Sequence, residues 1–568
     1  MLIGIILLVS FCVTGKLPSP VSATALKVVL EQGNNIDFDS TVNQIVKEIG
    51  ENGHAELILE KGMYRADRLS IPSNITVTLK PGAQIEVARH LIIEGKVEAG
   101  LYQIFSGPGS VVFGSQSVKE IYPQWWGAKA DGITDDALAI QKACLALSRE
   151  GVKRLVFPAG NYLIFKLGAT YTPTNNLCDF KNLNGLEIIS KGARLIIDPD
   201  RPNGGRWGIL FQFTDCTNVM VDGFHVEGPP LDLTKSQTGC WFLTFMGNCR
   251  NISLPYNSVK NMGCGYEFRG VNYGHAENQT DDTSKTENID IGILEVENCR
   301  YGITCMSSGN HLNAKLIKSN GVVRSYIVWN VKDHYVNIES RNVYGSDMLI
   351  KTYRYWHRNE NLRIKYTNND SLKAEVPYPL GNPLAIQWAG YYENKDGSFT
   401  SGVMSNIQIS LFCKFGPDFD QKILYFEKYG NPSNPDRFDE TPDSYDRGRK
   451  LTGFSLSGSI VIQRPPGGQI LDIAGPLPET STWGLPDSKK SSPDEFVRFR
   501  IHDMMVRGEQ SRFILGLNSF TDSPVVENVD SSIPFSIDNS LNGRVKYPTM
   551  PIVYKNCRIQ HDKRSIQQ

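Results

Sequence analysis

The strongest constraint on this 568-residue chain is a short unit that keeps returning, a polar residue and usually an Asn followed by alternating apolar residues. It occurs as Asn184-Gly-Leu-Glu-Ile, Thr217-Asn-Val-Met-Val, Arg250-Asn-Ile-Ser-Leu, Glu287-Asn-Ile-Asp-Ile, Asn310-His-Leu-Asn-Ala, Asp333-His-Tyr-Val-Asn, Glu360-Asn-Leu-Arg-Ile and Ser405-Asn-Ile-Gln-Ile. Successive starts lie 23 to 45 residues apart. Apolar residues at every second position place one face of a strand in a core. A recurrence near 23 residues is one turn of a three-sided β-solenoid, and the longer intervals are turns with inserted loops. The Asn before each first strand suits an internal amide ladder, each side chain bonded to those one turn above and below. A β-propeller or sandwich is the alternative, but its hairpins call for evenly spaced Asn-Gly turns, which are scarce in this chain. Beyond about residue 415 the repeat loosens. Asn431 to Arg449 reads as a long surface loop, and strands resume at Phe454 to Ile462 and Val497 to Met505, the end of the stack with its cap.

Two helical patterns precede the repeats. Between Asp135 and Arg149, the residues Ile140, Ala143, Cys144 and Leu147 fall at i, i+3, i+4 and i+7, with Thr134 or Asp135 as N-cap. Earlier, Val42, Ile45, Val46 and Ile49 form a similar stripe. Each pattern leads into a strand and a glycine turn, Leu57 to Leu59 with Gly62 and Leu155 to Phe157 with Gly160, and Ile75 to Ile85 is echoed by Leu186 to Leu195. The spacing predicts a helix-plus-coil module used twice in tandem.

Lys and Arg total 59 against 60 for Asp and Glu, which leaves no net field to attract nucleic acid or an anionic membrane. The apolar run from Met1 to Val13 is too short to span a bilayer. It reads as an export signal ending before Thr24, with Val21 and Ala23 as the small residues of a cleavage site, the alternative being a buried first strand. No later segment approaches transmembrane length. Outside the cytoplasm disulfides persist. Cys216 and Cys249, and Cys264 and Cys299, recur at 33 and 35 residues, a spacing that fits either stacked disulfides or a ladder of buried thiols. No CxxC or HExxH spacing marks a zinc site.

The run Trp126-Gly-Ala-Lys-Ala-Asp-Gly-Ile-Thr-Asp-Asp-Ala-Leu-Ala-Ile-Gln-Lys-Ala resembles the opening signature of the pectate-lyase-like family, which includes rhamnogalacturonase, polygalacturonase, epimerase and tailspike types. Tyr102-Gln-Ile-Phe-Ser-Gly and Tyr122-Pro-Gln-Trp-Trp resemble the version in exported bacterial members. The resemblance covers roughly residues 100 to 165 and implies an all-β chain, a right-handed parallel β-helix with short N-terminal capping helices and a polysaccharide partner. Hydrolases, lyases, epimerases and non-catalytic adhesins share the signature, so it does not select a reaction. Gly345-Ser-Asp-Met-Leu-Ile-Lys resembles a polygalacturonase run in which two adjacent Asp precede a strand ending in Lys; here Ser346 replaces the first Asp, and the spacing from Asp347 to Lys351 is one residue shorter.

Stacked coils repeat at about 4.8 Å. Aligning second strands puts Glu267 and Arg269 in one coil, Tyr301 to Cys305 in the next, then Arg324 to Trp329, then Asp347 to Lys351. Glu267 and Asp347 are then roughly 14 Å apart, too far for the about 5 to 9.5 Å of a glycosidase carboxylate pair. Arg324 and Asp347, one rise apart, could touch. With Lys351, Tyr353 and Arg354 they are the expected catalytic residues, while Glu267, Arg269, Tyr355, Trp356, His357 and Arg358 are expected to bind substrate. Arg and Lys neutralise a uronic carboxylate and Tyr or His acts as base in β-elimination, while aromatic faces pack on sugar rings. Trp207, Trp241, Trp329 and Trp388 are candidates to line a groove. No cofactor is required, although Glu277, Asp281 and Asp282 in the loop Asn272 to Glu287 could bind calcium.

The expected organisation is a signal peptide (1–23), an N-terminal module (24–120), the main β-helix (121–415) and irregular C-terminal coils with a cap (416–568). The expected function is binding and cleavage of a polysaccharide, by β-elimination or hydrolysis. The alternative is a non-catalytic glycan-binding or structural β-helix, and the oligomeric state stays open.

Overall fold

A computed structural model describes residues 25–30, 36–148, 150–166, 176–200, 206–235, 239–270, 285–306, 309–345, 347–351, 358–368, 384–388, 391–393, 399–401, 403–415, 423–428, 450–462, 469–473, 495–508, 512–515, 521–532, 535–537 and 551–559. The expected signal segment lies outside them. The chain is a parallel β-helix. It divides into two compact units, Met1–Arg201 with Cys216–Val226, and Pro202–Asp215 with Glu227–Gln568. Among the described residues, no helix is long and apolar enough to cross a membrane.

The first unit contains the duplicated module. Helix α1 (Phe38–Ile49) begins at Asp37, whose carboxylate accepts the Ser40 N–H at 3.2 Å, and it buries Phe38, Val42 and Ile45. The strand Ala55–Leu59 pairs in parallel with Ile75–Leu79, and Gly62–Ile71 with Ala83–Ile93. Helix α2 (Ala137–Leu145) opens the second copy, where Arg154–Phe157 pairs with Glu187–Ser190 and Gly160–Ile164 with Ala193–Ile197. The two copies agree bond for bond. Tyr64 donates its hydroxyl proton to the Glu60 carbonyl at 2.7 Å, and Tyr162 to the Pro158 carbonyl at 3.0 Å. The Lys80 N–H reaches the Leu59 carbonyl at 2.9 Å, as the Lys191 N–H reaches that of Phe157 at 2.8 Å.

Helix α2 stops at Leu145, before the last residue of its apolar stripe, and the acidic run before it secures the turn that leads in. Asp136 turns its carboxylate back to the N–H groups of Lys129 and Ala130, at 2.7 and 2.9 Å, and so secures the turn at Ala130, whose φ is +52°. Asp135 accepts the Ala137 N–H at 3.0 Å, whereas Thr134 bonds Asp131 at 2.8 Å and does not cap the helix. A disulfide joins Cys144 in α2 to Cys178, with the Cα atoms 6.1 Å apart. The cysteines singled out by spacing, Cys216, Cys249, Cys264 and Cys299, are instead buried thiols outside any disulfide. Of the two readings the thiol ladder is the one the structure contains.

In the second unit the recurring Asn has a conformational purpose. Asn251, Asn288, His311, Asp333, Asn361 and Asn406 all adopt the left-handed conformation with φ between +52° and +58°. Asn and Asp enter this region at the least cost of any residues with a side chain, and the tight corner before each first strand needs it. The amide ladder forms: Asn288 donates to Asn251 at 3.2 Å, Asn361 to Asp333 at 2.6 Å and Asn406 to Asn361 at 2.9 Å. It lies at the surface of the corner, however, and not inside the coils as expected, because a left-handed residue at a corner points its side chain away from the core.

Candidate functional site

The second strands of the middle coils are Gly239–Met246, Cys264–Arg269, the ends of Glu287–Met306 and Asn310–Trp329, and Met348–Lys351. They pair in parallel, so that Thr244, Glu267, Thr304, Ile327 and Leu349 form one column. Phe245 and Phe268 stack in the interior with centroids 5.4 Å apart, and alternation turns Glu267 and Arg269 to the outer side. That outer side is nevertheless covered. Glu267 has no exposure and Arg269 keeps 9%.

Buried charges need partners, and these two have each other. Arg269 Nε donates to Glu267 Oε1 at 2.5 Å, the Thr244 hydroxyl donates to Oε2 at 3.1 Å, and the guanidinium carbon lies 5.5 Å from the Trp241 ring centroid. Two apolar clusters flank this pair along the stack, Ile209, Trp241 and Cys264 in one and Met306, Ile327, Trp329 and Leu349 in the other, and Tyr301 packs against both. The Cys264 thiol is pushed far up by burial and by the charge of Glu267, so it stays protonated and is no nucleophile.

Tyr301 is therefore the hinge point of the strip. Its hydroxyl accepts a hydrogen bond from Arg300 Nε at 3.0 Å, and the same guanidinium lies 5.4 Å over its ring. Arg324 is its register neighbour in the next coil. The Arg324 side chain is half-buried, and its Nε has no hydrogen-bond partner among the described residues.

The coil alignment places Asp347 correctly in the fourth coil but one residue out of phase. Ser325, not Arg324, is its neighbour, since the Ser325 N–H and hydroxyl both donate to Asp347 Oδ1, at 2.8 and 2.5 Å. The Tyr366 hydroxyl donates to Oδ2 at 2.8 Å. A one-residue slip exchanges the two faces of a strand, and Asp347 lies inside the coils, without exposure and without an ion pair to Arg324. Burial raises its pKa against the pull of these donors. A second interior network joins the Tyr326 hydroxyl to His334 Nδ1 at 2.6 Å and His334 Nε2 to the Gly309 carbonyl at 2.5 Å. The carbonyl can only accept, so Nε2 carries the proton and Nδ1 accepts from Tyr326. Burial lowers the imidazole pKa to about 4, which keeps it neutral.

The other expected residues divide simply. Glu267 and Arg269 meet in one bonded pair. Lys351 and Arg358 belong to strands, but their side chains, like all of Tyr353, Arg354, Tyr355, Trp356 and His357, lie outside the described residues, as do Glu277, Asp281 and Asp282 and the side chains of Trp207 and Trp388. Among the described residues no three His, Cys, Asp or Glu side chains cluster as metal ligands would. Sequence reasoning missed Arg300, Thr244 and the central place of Tyr301. The signal was present: Tyr301 aligns with Arg324 one coil on, once the phase is set by Tyr326 rather than by Asp347.

No protein-family model and no curated protein matches the chain. Among solved structures, it is similar to PfbA, a surface adhesin of Streptococcus pneumoniae, at 10% identity and a TM-score of 0.30, covering 77% of this chain and 91% of the adhesin. It is also similar to the ORF18 protein of Geobacillus virus E2, at 13% identity and a TM-score of 0.21, covering 74% of this chain and 59% of the viral one.

Proposed function

We propose that the protein is exported and binds a uronic-acid polysaccharide along the strip from Trp241 to Trp329, and that Tyr301 and Arg324 support β-elimination on it. The observation that carries this reading is Arg324, a half-buried guanidinium set one coil from a tyrosine that already holds a second arginine at its hydroxyl. A guanidinium of this kind takes a carboxylate as its natural partner. Neutralising the uronate carboxylate acidifies the adjacent C–H proton. Tyr301, with the Arg300 guanidinium at its hydroxyl, is the acceptor of that proton; the C–H electron pair becomes the new C=C bond as the bond to the glycosidic oxygen breaks, and the departing oxygen is protonated by solvent.

Hydrolysis has less support, since it needs two carboxylates about 5 to 9.5 Å apart. Glu267 is held by Arg269 and Thr244, and Asp347 faces the interior.

The test is incubation with uronic and neutral polysaccharides, following both the ultraviolet absorbance of an unsaturated uronate and the release of reducing ends. The native protein is expected to yield the unsaturated product from a uronic polymer. Tyr301→Phe should lower that rate by on the order of 100-fold or more with binding retained, and Arg324→Ala should weaken binding of uronic but not of neutral chains. Binding without product would reduce the protein to a glycan binder, and failure to bind any uronic polymer would sink the proposal.

A further inference from the structure

The first strands of the second unit present another side of the stack, and it differs in kind from the strip around Tyr301. Tyr335 is 46% exposed and Phe412 40% exposed, both on outward positions of strands whose alternate residues, such as Val336 and Leu411, are buried. Each ring holds a cation. The Arg363 guanidinium carbon lies 5.3 Å from the Tyr335 centroid, and Lys365 Nζ lies 5.4 Å from that of Phe412. Register explains the arrangement: Tyr335 neighbours Arg363, which neighbours Gln408, while Asn337 neighbours Lys365, which neighbours Ser410. Ser410 in turn shares a 2.9 Å hydrogen bond with Ser457.

A surface cation commonly lies against a carboxylate, which cancels its charge. Arg363 and Lys365 form no ion pair among the described residues, although Glu339 lies exposed in Phe412's own row, two coils away through Thr367. A ring attracts a cation without neutralising it, so both charges remain available, oriented and partly desolvated. Lys315 and Lys414 add exposed positive charge on the same outward positions. Beside them Asn337, Gln408, Ser410 and Ser457 form a low shelf of amides and hydroxyls, which can donate and accept in either direction.

We propose that this face is a second binding surface, for an anionic polysaccharide lying along the stack. Exposed rings on the neighbouring coils cover the C–H faces of sugars, the shelf bonds their hydroxyls, and Arg363 and Lys365, two residues and so about 7 Å apart on one strand, meet carboxylate or sulfate groups side by side. The shared chemistry is an anionic group on a sugar chain, and the two sources, uronate and sulfate ester, are separated by the choice of polymer. The surface is independent of Tyr301 and Arg324, so its fate does not depend on the elimination chemistry.

The full chain would be applied to immobilised polygalacturonate and to immobilised heparin and eluted with salt, the Arg324→Ala variant serving as background so that the other strip is silent. Arg363→Gln with Lys365→Gln should elute from at least one polymer at markedly lower salt, with an affinity down about tenfold or more for two lost contacts. Tyr335→Ala with Phe412→Ala should lower affinity while leaving the salt dependence unchanged. All four side chains are at the surface, so thermal unfolding of each variant should match the background protein. Unchanged elution of the Gln pair from both polymers would overturn the proposal. So would equal binding of neutral dextran, or binding of a single-stranded RNA as tight as that of the polysaccharides.

Discussion

Glu267 and Asp347 are both carboxylates without solvent exposure, one on the outer side of the second strands and the other inside the coils, and they are satisfied by different means. Glu267 is met by a cation, Arg269, with the Thr244 hydroxyl in support. Asp347 is met by neutral donors from neighbouring coils, the backbone and hydroxyl of Ser325 and the hydroxyl of Tyr366, and among the described residues no cation pairs with it. The outer carboxylate is a member of a pair that could be exchanged as a unit. The inner one is a node that ties three coils together. A solenoid core can tolerate a charge only where adjacent coils each contribute a donor, whereas the outer face can bring in a long side chain to do the same.

Removing the node should cost most. Asp347→Ala takes the acceptor from the Ser325 and Tyr366 hydroxyls and opens a cavity, while the Ser325 N–H keeps the main-chain carbonyl, and we expect a loss of about 4–5 kcal/mol by urea unfolding. A loss below about 1 kcal/mol would mean that the donors find other partners and that the interior network is not cooperative.

The outer pair should separate from this by its response to paired replacement. Glu267→Gln strands a buried guanidinium, at about 3–4 kcal/mol, yet Glu267→Leu combined with Arg269→Met should recover most of that loss, because an apolar pair fits beside Trp241 and Cys264. No single second substitution should rescue Asp347→Ala. If the outer double variant is as unstable as Glu267→Gln, the two carboxylates are alike after all.

The interior also predicts a dependence on pH. His334 has its pKa lowered to about 4 by burial, so the unfolded chain binds more protons than the native chain between the unfolded value, about 6.5, and about 4. Stability contributed by the neutral imidazole is present above that window and is lost as pH falls through it, by up to roughly 3 kcal/mol. His334→Gln, which keeps a donor for the Gly309 carbonyl, should flatten this part of the profile. Asp136 in the first unit runs the other way: burial raises it to about 6, and stability falls as pH rises from the ordinary carboxylate range towards that value.

How much of this was legible follows the same division. Period-two alternation and the returning Asn were enough for coils, corners and their order, and the tandem module was readable down to the equivalence of Gly62 and Gly160, because backbone geometry at those points admits few residues. Side-chain facing was harder. Inserted loops obscure the phase of each second strand, so Asp347 was set on the wrong face by one residue while Glu267 was set correctly. The Cys144–Cys178 bridge was invisible because it links a helix to a strand and belongs to no repeat. The exposed pair of Tyr335 with Arg363 is legible from register, whereas Phe412 meets Lys365 on the diagonal, across from its own partner Thr367.

The smallest effect is expected at Thr244, and it bears on why the outer face carries a charge pair at all. Thr244→Val removes a hydroxyl donor to a charged acceptor and substitutes a methyl of the same shape, for about 1–2 kcal/mol. Because Arg269 still holds the other oxygen of Glu267, the pair should persist and the variant should still bind a uronic polymer at the strip. If binding falls with so small a change in stability, then Thr244 is holding the carboxylate in the direction that frees Arg324 and Tyr301 for the ligand. The pair would then belong to the binding surface. If binding is untouched, the pair is scaffolding beneath that surface, and the recognition lies with the side chains that remain half-open, Tyr301, Arg300 and Arg324.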